Sequence, residues 1–385
     1  MALLNRYELY SAHKGKEGLS ACDAHGVNPL AWAAMEGHEK VVELLLDSDA
    51  DINAMTALYA KSHLSWGGSR SVKSYVRHAS DGDAWSTGKH TVLYRAAFRG
   101  HEAVVQLLIR RGADVNAKGW ANSTVLHGAS LGGNEDLMRL LLNQGAEQHV
   151  NSRSILSHTT PLYCAVDSGS HKVARLLLDH HADVNMQQRI TGYTSLHCAC
   201  ENDATISMIE LLLEYGAKVD VSNAEGKTAL HLAAVHARTS TVNLLLDHGA
   251  KVNATTKDGN TALHLAARIP KTATIETLLD HGADVRIINS EGQTALDRSI
   301  ETERRASDRA TRLLKSASGV LKRTDTGTKL MRFDSAQRLH AVASPQDPTR
   351  RRTNDTGPRS PSDSTGVHDK QSASPKLGIK HHTTV

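Results

Sequence analysis

The sequence predicts an all-α solenoid of helix-turn-helix repeats, and three observations carry that prediction. First, a leucine that in most copies closes a Thr-x-Leu tripeptide recurs at Leu30, Leu93, Leu126, Leu162, Leu196, Leu230, Leu263 and Leu296. Apart from one long first interval, the spacing stays near 33 residues, a period that signals a repeat array. Second, the chain has 385 residues but only 2 Phe, 4 Trp and 8 Tyr, so Leu and Ala must build its core. Third, 385 residues exceed the roughly 250–300 over which one hydrophobic core grows, so the chain is either several domains or a stack.

The clearest copies are Glu225-Gly-Lys-Thr-Ala-Leu-His-Leu-Ala-Ala234 and Asp258-Gly-Asn-Thr-Ala-Leu-His-Leu-Ala-Ala267. A leucine run follows each, and then Asp247-His-Gly-Ala-Lys-Val-Asn253 or Asp280-His-Gly-Ala-Asp-Val285; Arg111-Gly-Ala-Asp-Val-Asn116 and His181-Ala-Asp-Val-Asn185 fit the same slot. Gly26, Gly192, Gly226, Gly259 and Gly292 lie four residues before the aligned leucine, where a tight turn requires positive φ. The threonine caps a first helix. Leucine and two alanines form that helix's buried face, and a second, leucine-bearing helix ends on Gly-Ala as its C-cap. No unit buries its apolar face alone; stacking completes the core.

This signature resembles the ankyrin repeat over most of residues 23–316. The resemblance implies hairpin fingers between the helix pairs, and a histidine after the leucine that ties each turn to its neighbour. His127, His197, His231 and His264 hold that place; Tyr94 and Tyr163 replace it in two copies, Ala31 in the first and Asp297 in the last. Repeats are expected over 23–54, 88–117, 121–151, 157–186, 191–220, 225–254 and 258–287, with a degenerate, charged capping repeat over 291–315 and an N-terminal cap segment over 1–22.

The long first interval leaves residues 55–87 as an insertion; the other reading is a degenerate repeat beginning at Thr56. Asp81-Gly82, between Ser71–His78 and Ala84-Trp85, is a hairpin signal, and Trp66, Tyr75 and Trp85 make the segment a candidate contact element. Residues 316–385 hold five of the eight prolines (Pro345, Pro348, Pro358, Pro361, Pro375) among Ser, Thr, Asp and Arg, and are expected to be a disordered basic tail. Ser344-Pro, Ser360-Pro and Ser374-Pro are phosphorylation candidates there, Leu330–Ala343 a docking-helix candidate and Arg350–Arg352 an import or anion-binding candidate. The tail's basic excess outweighs the chain's net charge of +4, so the repeats are close to neutral and nucleic-acid binding by them is not expected.

Catalytic signatures fail in context. Gly128-Ala-Ser-Leu-Gly132 matches a nucleophile elbow, but repeat register places Ser130 on a first helix, where a strand-to-helix turn is needed. Gly82 to Lys89 lacks both the spacing of a phosphate loop and its Ser or Thr. The 23 histidines include no zinc-type spacing, so no metal or cofactor is expected. Cys22, Cys164, Cys198 and Cys200 form no disulfide pattern, and with no signal-like or membrane-spanning stretch this suggests a cytoplasmic protein, with the nucleus as a second compartment.

The expected function is therefore a protein-protein interaction scaffold or adaptor, monomeric, binding a protein ligand on the concave ankyrin surface. A regulator of transcription or of a biosynthetic pathway, acting through the basic tail, is the alternative, and an enzyme accessory subunit the third reading. The family's binding positions fall here on the finger residues Val27, His90, Ser123, Tyr193, Lys227, Asn260 and Gln293. On the first helices they fall on Met35, Glu36, Phe98, Arg99, Leu131, Glu201, Asn202, Val235, His236, Arg268 and Ile269. Phe98, Arg99, Trp120, Tyr193, Lys227, His236 and Arg268 are the chosen partner-binding candidates.

Overall fold

The computed structural model describes residues 18–23, 26–57, 89–155, 158–202, 204–236, 238–269, 272–302 and 308–319. Of two compact units, Met1–Asp325 and Thr326–Val385, all described residues belong to the first. The expected hairpin over Ser71–Trp85, Trp66, Tyr75 and the tail motifs beyond Gly319 lie outside the described residues.

Among the described residues, eight helix pairs follow one another: α1 (Pro29–Met35) with α2 (Glu39–Asp47), α3 (Val92–Arg99) with α4 (Glu102–Arg110), α5 (Val125–Gly132) with α6 (Glu135–Asn143), and α7 (Pro161–Asp167) with α8 (His171–Asp179). Next come α9 (Ser195–Glu201) with α10 (Ile206–Glu214), α11 (Ala229–Val235) with α12 (Thr239–Asp247), α13 (Ala262–Ala266) with α14 (Thr272–Asp280), and α15 (Ala295–Thr302) with α16 (Asp308–Ala317). Helices this short are unstable alone, because nucleation costs more than a few hydrogen bonds return. Their stability comes from stacking. The aligned leucines and following alanines, Leu230, Ala233 and Ala234 for example, are buried between neighbouring first helices. The second helices turn residues such as Leu137, Met138, Leu141 and Leu142 inward. Each fully buried leucine is worth roughly 1.5–3 kcal/mol.

Three sets of polar ties hold one unit to the next. The first is the threonine–histidine cap. In α11, Thr228 N–H donates to His231 Nδ1 at 3.1 Å while Nε2 reaches Asn260 O at 3.1 Å in the following unit. The same geometry joins His127 to Thr159 O, His197 to Lys227 O and His264 to Gln293 O. The second uses an asparagine that follows the second helix in several units. Asn253 Oδ1 accepts Asp284 N–H at 2.8 Å, and Asn185 and Asn151 accept from Lys218 and Asp183. The third ties the residue before a second helix to the preceding unit: His101 Nε2 lies 2.7 Å from Met35 O, and Arg238 donates to the carbonyls of Ala199, Cys200 and Glu201.

The finger turns also link to one another. Ala224 N–H donates to Thr191 O, Lys257 N–H to Glu225 O and Ser290 N–H to Asp258 O, at 2.8, 3.0 and 2.9 Å. Gly226 shows why glycine is needed there. Its φ is +78°, and a Cβ would sit 2.7 Å from Lys257 N. At the end of the array Gly292 keeps φ +72° but faces open space.

Local departures from the pattern have physical causes. The short strands β1 (Met55–Ala57) and β2 (Lys89–Thr91) pair antiparallel, with Thr56 opposite His90, so the two ends of the predicted insertion are joined. Thr56 thus sits in a strand rather than at a helix start. Arg95 of α3 is buried beneath this pair and donates to Thr56 O at 2.5 Å. The finger before α5 is a tight turn over Trp120–Asn122, with Ala121 and Asn122 at positive φ, in place of the expected hairpin. Gly128 and Gly132 let α5 meet α3 closely: a Cβ would lie 3.0 Å from Tyr94 O in one case and 2.6 Å from Phe98 O in the other. The serine motif read in the sequence is thus a close-packing face. The last helix runs to Ala317 with Ala310 and Leu314 buried, two residues past the predicted end of the capping repeat.

Candidate protein-binding face

The candidate residues were chosen as exposed, and the structure corrects that for the fingers. Val27, His90, Ser123, Tyr193 and Asn260 are buried, and Lys227 and Gln293 are half-buried. Where the preceding unit carries the capping histidine, the tie between units explains this. The carbonyl at this position accepts the histidine of the preceding unit, as at Lys227, Asn260 and Gln293, which draws the residue under its neighbour. Tyr193 packs against His197 with ring centroids 5.5 Å apart, and burial, then the charges of Glu201 and Glu225, push its phenol well up. His90 stacks on Tyr94 at 4.2 Å, and burial followed by Arg95 pushes it down to about 3.

The first-helix candidates behave differently. Glu36, His236 and Arg268 are exposed; Met35, Phe98, Arg99, Leu131, Glu201, Asn202, Val235 and Ile269 are half-buried. All lie in the last turn of a first helix or just after it, where the chain leaves the core. Phe98 stacks parallel to Tyr94 with centroids 6.3 Å apart, leaving part of its ring accessible. Arg99 pairs with Glu36 of the previous unit at 3.3 Å, and Lys227 pairs with Glu225. Trp120 is half-buried at the turn before α5.

Unit 4 breaks the row. Asp167 occupies the position equivalent to Phe98 yet is only 4% exposed. Asn202 Nδ2 donates to its Oδ1 at 2.5 Å, and the Cys198 thiol lies 3.7 Å from the same oxygen. Burial first, then the Asp167 carboxylate, holds the Cys198 thiol well above its ordinary value, and burial lifts Cys164 and Cys200 to about 12. These sulfurs are protonated and packed at neutral pH, not poised as nucleophiles. The sequence gives no distinguishing signal for this cluster, because the next unit also carries an acid, Glu201, at the position of Asp167.

The decisive comparison is with family models. Ankyrin-repeat models match residues 93–188 and 182–256 (three copies), 245–298 (many copies) and 25–57 (a single repeat). The chain is an ankyrin-repeat protein. Its array is similar to the crystal structure of the human ASB11 ankyrin repeat domain, at 29% identity and a TM-score of 0.52, covering 59% of this chain and 98% of that one. Fowlpox virus ankyrin repeat protein FPV031 is 36% identical over 83 residues, 22% of this chain and 24% of its own length. Human ankyrin repeat and SOCS box protein 6 is 37% identical over 93 residues, 24% of this chain and 21% of its own. The chain therefore matches about a quarter or less of these curated relatives. Ankyrin repeats are in general protein-protein interaction modules, and the fold is typically non-enzymatic. Among the described residues, no helix of this ankyrin array is long and apolar enough to cross a membrane.

Proposed function

We propose that the chain is a scaffold or adaptor that holds a protein ligand on the first-helix side of the array, the concave ankyrin surface. One observation carries the reading. The packing positions repeat Leu, Ala and His from unit to unit, whereas the side chains left outside the core at the first-helix ends change chemistry at every step: Met35-Glu36, Phe98-Arg99, Glu201-Asn202, Val235-His236, Arg268-Ile269. A conserved frame with a variable outward row is what selective binding requires, since the frame itself carries no specificity. Phe98, Arg99 and Arg268 belong to the residue types that dominate interface energetics. The protonated, unpaired thiols of Cys164, Cys198 and Cys200 support a reducing, cytoplasmic setting for this role.

Affinity capture with the full chain beside a Phe98→Ala/Arg268→Glu variant tests the proposal. Both positions lie outside the core, so the variant keeps its fold; selective loss of captured proteins is expected, and identical recovery by the two chains defeats the reading. Tyr193→Ala does not serve this purpose, because Tyr193 is buried.

A further inference from the structure

The finger row is electrostatically divided. Between Asn116 and Ser123, Asn151 and Thr160, and Asn185 and Thr194 the three consecutive fingers before α5, α7 and α9 carry Lys118, Arg153, His158 and Arg189 and no acidic residue. The next three fingers each place an exposed acid before their glycine: Glu225, Asp258 and Glu291. The acids nearest the basic fingers are engaged below them. Asp114 and Asp183 accept the backbone N–H of Asn116 and Asn185, and Glu147 meets His180.

Among the described residues, Lys118, Arg153 and Arg189 enter no ion pair, whereas Arg99, Arg111, Arg139, Arg175 and Arg286 each hold a carboxylate elsewhere on the array. The charges of two of them reach the same group: after burial, Arg189 and Arg153 lower the His158 imidazole. Apolar surface accompanies them. Ile155 is 55% and Ile190 71% exposed, and Trp120 is half-buried on the first of the three fingers. Ile155 N–H donates to Ala121 O at 2.6 Å, so two of these tips are physically joined. The backbone is strained here: Ala121, Asn122 and His158 hold φ of +56°, +60° and +51° without being glycine. Such conformations persist where the surroundings enforce them, often at binding sites.

We infer that the tips of these three fingers dock an acidic, apolar-bearing extended segment of a partner protein, its carboxylates meeting Lys118, Arg153 and Arg189 and its apolar side chains covering Trp120, Ile155 and Ile190. Charge complementarity selects an acidic occupant, and the exposed isoleucines select a polypeptide with bulky apolar side chains over a uniformly charged polyanion. Packed repeats lie about 10 Å apart, so three tips span roughly 20 Å, the length of about six extended residues. The inference rests on the chain being a protein-binding array and assigns a second surface to it, distinct from the first-helix row.

The test measures binding of the full chain to a fluorescent peptide of about ten residues that alternates Glu with Leu and Phe, beside a Gln-for-Glu peptide and a single-stranded RNA of matched charge. Expected results are preference for the acidic peptide, weakening with added salt, and a loss of about tenfold or more in Arg153→Glu/Arg189→Glu and in Ile155→Ser/Ile190→Ser. Lys257→Glu, on an acid-bearing finger, and Phe98→Ala/Arg268→Glu leave peptide affinity unchanged. No peptide binding, equal affinity in the finger variants, tighter binding of RNA, or loss in Phe98→Ala/Arg268→Glu each overturns the assignment. Because the first-helix variant reads native-partner capture and the finger variants read the peptide, failure of one proposal is separable from failure of the other.

Discussion

His231 and Asn260 join two units through a single imidazole: Nε2–H donates to Asn260 O at 3.1 Å while Nδ1 accepts Thr228 N–H at 3.1 Å. Only the neutral ring does both, because a protonated Nδ1 would point a hydrogen at another donor. Burial is the main force on the group and pushes it down to about 4, as it does His127.

Acid should therefore loosen the array before carboxylates begin to titrate. Unfolded histidine binds a proton near 6.5, and folded His127 and His231 not until about 4, so between these values the unfolded chain binds more protons. Their contribution is fully present above pH 6.5 and falls as pH drops toward 4, by about 1.4 kcal/mol per pH unit per histidine. Urea midpoints measured from pH 7.5 to 5 should decline. His231→Phe should be less stable at pH 7.5 yet show a shallower decline; an unchanged slope would refute the assignment.

Gly226→Ala and Gly292→Ala separate two costs of the same turn. Both force alanine into the left-handed region, at roughly 1–2 kcal/mol. Gly226→Ala also drives a Cβ to 2.7 Å from Lys257 N, whereas Gly292→Ala meets nothing within 4 Å. Gly226→Ala should lower stability by at least about 1 kcal/mol more than Gly292→Ala in matched urea titrations; equal losses would show that the fingers do not press on each other.

Ser130→Ala should be neutral or stabilising by up to about 1 kcal/mol, because the hydroxyl is buried in α5 with no hydrogen-bond partner. Gly132→Val should cost about 2 kcal/mol or more, since the Phe98 carbonyl leaves a new side chain no room. Thermal melts of the two variants check the pair. A destabilised Ser130→Ala would mean that the serine has a role beyond filling the face.

Arg238→Ala removes the donor that meets three carbonyls at the end of α9, a charge-assisted contact with the negative end of a helix. A loss of about 2 kcal/mol is expected. Amide exchange localises it: faster exchange confined to the units around α9 and α12 supports the tie, and uniform acceleration across the array argues against it.

The repeat frame was readable because its rules are local. A threonine before an apolar turn, alanines spaced for close helices and glycine at a positive-φ turn each follow from a few adjacent residues. What remained hidden depends mostly on partners about thirty residues away. Asn260 looks like a free fingertip residue until the previous unit's histidine is seen to hold its carbonyl, and Tyr193 until its ring is seen against His197. Asn185 and Asn253 look like ordinary turn residues, yet each accepts from the following unit. Arg95, charged and on a first helix, reads as surface, but the paired strands lie over it. The units and, through the family resemblance, the histidine seam were legible in the sequence; the asparagine and arginine seams were not.

The final unit gives one seam a different meaning. Asp297 stands where four internal copies carry histidine; it still accepts the Thr294 N–H at 2.9 Å, but a carboxylate supplies no proton to a carbonyl beyond it. The residue therefore closes the series of imidazole ties: this unit keeps the cap on its own helix and gives up the donor that reached outward in the earlier copies.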